Sequence, residues 1–284
     1  MTTARHHHDH AAQDWAAMAE YLDLDAEVLH AYHAEVIAWV GELTDGLPVR
    51  QILDLGAGTG NGTLLLAQQF GTADVIAVDG SAELLARCMT KAGDLGVAAR
   101  IHPAEADLNG AWPVAGPVDL AWASNSLHHL ADPDRVLTDL FTAIRPDGFL
   151  VLAELESFPR FLPADVGVGS QGLEERCHAA MAEAIAHELP HLGSDWSTRV
   201  RRAGFTIQAE RMFAIDLRPP LPPSAGRYAQ ASLRRLRAGL ADRMSAEDLA
   251  AFDALLDADG PLSVLRRADL SVRARRTVLV ARRP

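Results

Sequence analysis

The chain reads as an α/β protein with a doubly wound, mostly parallel sheet of seven strands, and three observations carry that reading. Apolar runs alternate with amphipathic helical segments through the first half of the chain. The first run, Gln51-Ile52-Leu53-Asp54-Leu55, passes straight into a glycine loop, Gly56-Ala57-Gly58-Thr59-Gly60. The next, Val75-Ile76-Ala77-Val78, ends on Asp79, 19 residues after Gly60, a length that one helix and a return strand consume.

The elements follow in order. Residues 1–45 form a helical segment: one helix around Gln13 to Leu22, and one from about Ala26 to Leu43, with Val28, Leu29, Tyr32, Val36, Trp39 and Val40 at helical spacing. Asp25 is placed to cap the second, and His30 and His33 fall on its surface. His6, His7, His8 and His10 cluster at the terminus, but apart from Asp9 no acidic or cysteine partner has metal-ligand spacing, so no metal site is expected. Residues 46–155 are the core. Strands are predicted near 51–55, 74–79, 98–102, 118–123 and 148–154, with helices near 61–70, 81–93 and 133–144. Pro133 after Asp132 is a helix start, and Pro146-Asp147-Gly148 is a turn into the next strand. Residues 156–195 are an insertion with a helix from about Leu173 to Glu188. Residues 196–284 complete the core with strands over 204–215 and 277–281, interrupted by a second insertion, 216–272. That insertion opens on Pro219-Pro220-Leu221-Pro222-Pro223 and holds amphipathic helices near 225–240 and 245–258. Segments above the carboxyl edge of such a sheet are where a substrate lid belongs.

Composition narrows the function. With 284 residues, 49% hydrophobic content, no apolar run of membrane-spanning length and no secretory signal pattern, a cytoplasmic protein without membrane attachment is expected. Cys88 and Cys177 lie on separate predicted helices and read as reduced thiols. A net charge of -12 argues against a nucleic-acid partner. From Arg218 to Pro284, however, 13 arginines face seven acidic residues, a local +6 that leaves -18 for the rest. That excess reads first as solvated helix faces in an arginine-rich chain and, more sharply, as a docking surface for an anionic group on a small-molecule substrate. The helices of the second insertion offer a homodimer contact.

The loop chemistry points to a nucleoside cofactor. A glycine at 56 lets the chain leave the strand with positive φ, and one at 58 removes a Cβ that would hold a ligand away. A dinucleotide fingerprint needs glycine at 61, where Asn61 stands. With Ala104-Glu105-Ala106-Asp107-Leu108, Asp119-Leu120-Ala121-Trp122-Ala123-Ser124-Asn125-Ser126-Leu127-His128-His129-Leu130 and Arg145-Pro146-Asp147-Gly148-Phe149-Leu150-Val151-Leu152, the chain resembles the class I methyltransferases that use S-adenosylmethionine. The resemblance is strong over about 45–155. It implies a Rossmann-like seven-stranded fold whose last strand inserts antiparallel, with leading helices that cover the cofactor pocket and Trp15 and Tyr21 as candidates to close it.

By the same resemblance, Gly56, Gly58 and Gly60 lie against the methionine and ribose parts of the cofactor, and Asp54 accepts from its amino group. Asp79 takes the ribose hydroxyls, Asp107 the adenine amino group and the Leu108 backbone the ring, while Ser124 and Asn125 line the methionine end. Gly80 departs from the pattern, because a bulkier residue often packs on adenine there. An acceptor hydroxyl or protonated amine must lose a proton, which suits histidine near neutrality. His128 and His129 are the candidates to orient or deprotonate it, with His178, Tyr228 and Glu156 in reserve. The function implied is methyl transfer to oxygen, nitrogen or carbon of a small metabolite, in secondary metabolism. The alternatives are a non-methylating enzyme or regulatory protein on the same scaffold and, disfavoured by Asn61 and Asp107, an NAD(P)-dependent oxidoreductase.

Overall fold

The computed structural model describes residues 15–113, 116–186 and 188–284, so the terminal histidine cluster lies outside the described residues. In order, the chain forms α1 (Trp15–Val28), α2 (His30–Leu43), β1 (Gln51–Leu55), α3 (Asn61–Gln69), β2 (Asp74–Asp79), α4 (Ala82–Asp94), β3 (Ile101–Glu105), β4 (Val118–Ser124), α5 (Pro133–Ala143) and β5 (Ile144–Leu155). It continues with α6 (Leu173–Ile185), α7 (Trp196–Arg202), β6 (Thr206–Leu217), α8 (Ala225–Gly239), α9 (Ala246–Leu256) and β7 (Val272–Arg282). The strands make one seven-stranded sheet in the order β3-β2-β1-β4-β5-β7-β6, with β7 antiparallel to both neighbours. The pairs from β3 to β5 are all parallel.

Alternation along the strands sorts the core into two layers, since successive side chains point to opposite faces. Ile52, Val75, Ala77, Leu120 and Trp122 pack with Val36 and Val40 of α2, Leu66 of α3 and Cys88 of α4. Leu53, Leu55, Val78, Ala121 and Ala123 pack with Val136, Leu137 and Leu140 of α5 and Trp196 and Val200 of α7. Phe161, Met181, Tyr228 and Phe252, from the two insertions, join the first layer, so these segments share its core. Side-chain caps fix several helix starts, which otherwise leave N–H groups unpaired. Ser81 Oγ accepts from Leu84 N, and Asp132, followed by Pro133, accepts from Arg135 N.

Four expectations need correction. Helix α1 runs on to Val28, so Asp25 lies inside it and caps nothing; the start of α2 has no side-chain cap. Burial explains this: the Asp25 carboxylate pairs with Arg276 on β7 at 2.7 Å. His33 is likewise drawn inward, within 3.5 Å of Asp25. Strand β3 begins at Ile101, behind a short 3-10 turn over Ala98–Arg100, and continues through Pro103 to Glu105. As an edge strand it tolerates a proline that lacks a ladder donor. Helix α6 ends at Ile185, and α7, started by the Asp195 carboxylate accepting from Thr198 N, was not foreseen. Among the described residues no helix is long and apolar enough to cross a membrane.

Candidate active site

The strand order reverses between β1 and β4, and ligands of open α/β sheets bind outside the carboxyl ends at such a point. There the glycine loop folds over the tip of β2, with Gly56 N and Ala57 N both donating to Val78 O. Asp79 accepts from Gly58 N through Oδ2 (2.8 Å) and from Ser81 N through Oδ1 (3.0 Å). Gly56 has φ +73, and a Cβ there would lie 2.5 Å from the Ser126 Cβ. A Cβ on Gly58 would meet only Leu22, and one on Gly80 nothing nearer than the Ala106 carbonyl at 3.8 Å, so the space beside the strand tip is open. Gly60 also has a packing role that the sequence did not announce. It starts α3 with φ +83, and a Cβ would come within 2.2 Å of the Cys88 sulfur, so this glycine lets α4 pack against the loop.

Helix α1 closes the outer side of the loop. Asn61 Nδ2 donates to Leu22 O at 3.0 Å, and Lys91 bridges Asn61 Oδ1 (2.9 Å) to Asp23 (2.8 Å). Asp54 is buried beneath the loop, accepting from Thr63 Oγ1 at 2.6 Å. Burial, with the Asp79 charge adding to it, pushes its pKa up to about 7. Burial also raises Asp79, against the N–H bonds from Gly58 and Ser81. Asn125 adopts φ +53 beyond β4, and its Oδ1 is buried without a partner. Asp107 is exposed just past the end of β3, beside Ala106, whose N–H donates to the Asp79 carbonyl; its carboxylate accepts from Asn109 N, while the Leu108 carbonyl accepts from Arg135. An open cradle of positive-φ glycines, a carboxylate at the adjoining strand tip and an orphaned amide oxygen fit a nucleoside with a polar tail.

Beyond Asn125 a cavity of about 360 Å³ opens between α1, the ends of β4 and β5, α6 and α8. His128, His129, Asn125 and Tyr21 line it, with His178 from the first insertion. Trp15 does not line it; Tyr21 does, against the Tyr228 ring at 5.7 Å. His128 is 2% exposed, and its Nδ1 lies 2.6 Å from Glu154 Oε2. Glu154 Oε1 accepts from Leu127 N (3.0 Å) and Ser126 N (3.3 Å), so one buried carboxylate organises the whole turn after β4. His129 stacks 4.2 Å from His128. Its ring opens on the cavity, yet the protein around it, reinforced by the charges of His128 and Arg235, lowers its pKa to about 4. Glu156 faces away, accepting from Thr277 in a separate cavity of about 370 Å³. The Tyr228 hydroxyl donates to Asp25 at 2.6 Å and so braces the wall.

Two residues that matter here were not singled out from the sequence. Glu154 sits in the apolar run Val151-Leu152-Ala153-Glu154-Leu155, and Arg276 precedes Thr277-Val278-Leu279-Val280; a charge inside a buried strand is the signal both offered. Arg276 is 2% exposed and lines the cavity floor. Burial would lower its pKa, but the Asp25 charge holds it above the usual range; Asp25 in turn is kept far below the usual carboxylate range, Arg276 and His33 outweighing burial.

Residues 52–148 match the family described as Methyltransferase domain. A trans-aconitate 2-methyltransferase of Azoarcus sp. is 38% identical over 101 residues, covering 36% of this chain and 37% of that protein. A ubiquinone biosynthesis O-methyltransferase of Bordetella avium is 30% identical over 157 residues, covering 54% of this chain and 63% of that protein. The chain thus spans less than two thirds of the length of these curated relatives. In fold it resembles a candidate methyltransferase of Bacillus halodurans (TM-score 0.55, 15% identity, 87% of this chain and 98% of that one). It also resembles the YcgJ protein of Bacillus subtilis (TM-score 0.52, 14% identity, 88% and 97%). The sequence match runs from β1 to the start of β5 and includes the glycine loop and the Asp79 strand tip, so it is this part of the chain that is similar to the methyltransferase domain.

Proposed function

We propose that the chain transfers a methyl group to a small, largely apolar metabolite that carries one anionic group, bound in the cavity beside His128. When bound, the cofactor supplies a methyl group already activated on a sulfonium sulfur, so the protein's task is to position the acceptor and exclude water. The Gly56–Gly58 backbone cradles the cofactor, Asp79 takes the ribose hydroxyls, and Asp54 faces its amino group. Asn125 marks the boundary between donor and acceptor. His128 takes the acceptor proton: the Glu154 carboxylate can only accept, so it holds the proton on Nδ1 and leaves Nε2 as the basic nitrogen. The two insertions supply the lid, through Phe158, His178, Met181 and Leu236.

The observation that carries this reading is the buried Glu154–His128 pair at the wall of a cavity next to the glycine loop. Helices α8 and α9 bury their apolar residues within the chain, so a homodimer through them would have to use their polar outer faces. The test is a screen of small carboxylate-bearing alcohols, phenols and amines with labelled cofactor, read by mass spectrometry. Methylated product that disappears with His128→Ala supports the reading. Cofactor binding without transfer to any acceptor points instead to a regulatory protein on this scaffold.

A further inference from the structure

The acceptor cavity is positive although the chain as a whole carries -12. Its walls contain two arginines, Arg235 and Arg276, and one carboxylate, Asp25. Arg276 and Asp25 match each other at 2.7 Å. His178 and His129 add no charge near neutrality: burial first, then the neighbouring arginines, lowers His178 to about 4, and burial lowers His129 similarly, while His128 faces the Glu154 carboxylate. That leaves Arg235, which among the described residues has no carboxylate partner. Its guanidinium is held instead over the Tyr21 ring, 5.1 Å from the centroid, and by the Met18 sulfur at 3.6 Å. Both contacts fix the group in place without cancelling its charge. One turn earlier on α8, Ser232 lines the same cavity, and its hydroxyl is buried without a partner. Residues three apart share a helix face, so a hydroxyl and a guanidinium that lack hydrogen-bonding and carboxylate partners, respectively, among the described residues lie on one side of α8.

We propose that Ser232 and Arg235 form an anion-binding end of the cavity, so that the acceptor is an amphipathic anion. Its carboxylate or phosphate head lies against α8, and its apolar body runs along Tyr21, Phe158 and Met181 toward His128. This rests on the reading that the cavity receives the methyl acceptor, and it names the side chains that select among acceptors. An ion pair in open water contributes little, but one joined by a hydroxyl donor at the mouth of an apolar cavity favours an anion over its neutral counterpart by about tenfold.

The test is calorimetric titration of decanoate, decyl phosphate and decanol into the whole protein saturated with S-adenosylhomocysteine. Decanoate or decyl phosphate is expected to bind about tenfold more tightly than decanol, and the stronger of the two identifies the head group. Arg235→Gln should bring the anion to within about twofold of decanol, and Ser232→Ala should reduce the preference by about threefold. Arg235 is exposed, so an unchanged melting temperature certifies the fold of that variant. Neither anion binding more tightly than decanol to the parent protein, or an undiminished preference in Arg235→Gln, overturns the inference. Saturation with S-adenosylhomocysteine is scored separately: its failure would remove the methyltransferase reading, whereas the anion preference can also be measured without it.

Discussion

Replacing Glu154 by glutamine changes one atom of the site and reverses the proton on His128. In the parent protein the carboxylate accepts three N–H groups, from His128 Nδ1 at 2.6 Å, Leu127 N at 3.0 Å and Ser126 N at 3.3 Å. A glutamine carbonyl would be claimed by the two backbone donors, leaving its NH2 facing Nδ1. His128 must then accept at Nδ1 and carry its proton on Nε2, where it can no longer take one from the acceptor. A positioned general base contributes roughly 100-fold to 10,000-fold, so kcat should fall at least about 100-fold with KM within about threefold. The charge-assisted bond lost is worth about 1.5–3 kcal/mol, a visible drop in melting temperature in a protein that still folds. Steady-state kinetics with an acceptor found by screening, paired with nitrogen NMR of the His128 tautomer, reads both effects. A tautomer switch with kcat within about threefold of the parent would refute the role given to His128.

Three further outcomes follow from the packing and the buried charges. Gly60→Ala puts a Cβ 2.2 Å from the Cys88 sulfur at a φ of +83, so overpacking and left-handed strain together should cost about 3 kcal/mol by urea unfolding. A loss under 1 kcal/mol would show that α4 shifts freely. Asp25→Asn leaves the Arg276 guanidinium buried without its counter-charge and should cost about 3–5 kcal/mol; a cost near zero would mean that water reaches the pair. Glu174, buried in α6 and accepting from Phe161 N and Leu162 N, has its pKa pushed up by burial from 4.5 to about 7. Between those values the folded chain keeps a proton that the unfolded chain has lost. Stability therefore falls as pH rises from about 4.5 to about 7 and is level above, with Asp54 acting in the same direction. Melting curves across that range should slope downward and flatten in part in Glu174→Gln; an unchanged slope would remove Glu174 as a source.

Much of the architecture was legible because it is written in local patterns. The β1 run, the loop from Gly56 to Gly60 and the Asp79 strand tip lie within 30 residues of one another, and Asp132-Pro133 announces α5 by itself. What the sequence hid was long-range. Asp25 stands where a cap for the second helix is expected, but its partner is Arg276, 251 positions away. Edge position, invisible locally, lets β3 run through Pro103 where the pattern suggested an end at His102. The packing of Gly60 against Cys88 was hidden as well, since nothing near it in sequence predicts that neighbour. His128 and His129 were found from their place after β4. Glu154, 26 residues on, became their organiser only when β4 and β5 were seen to lie side by side.

The account depends on the strand-tip carboxylate and glycine loop holding the nucleoside cofactor, and calorimetric titration with S-adenosylhomocysteine addresses that directly. One-to-one saturable binding is predicted for the parent protein, weakened at least about tenfold in Asp79→Asn while the melting temperature without ligand shows a folded chain. Absence of binding to well-folded parent protein, or full affinity in the Asp79 variant, would contradict it.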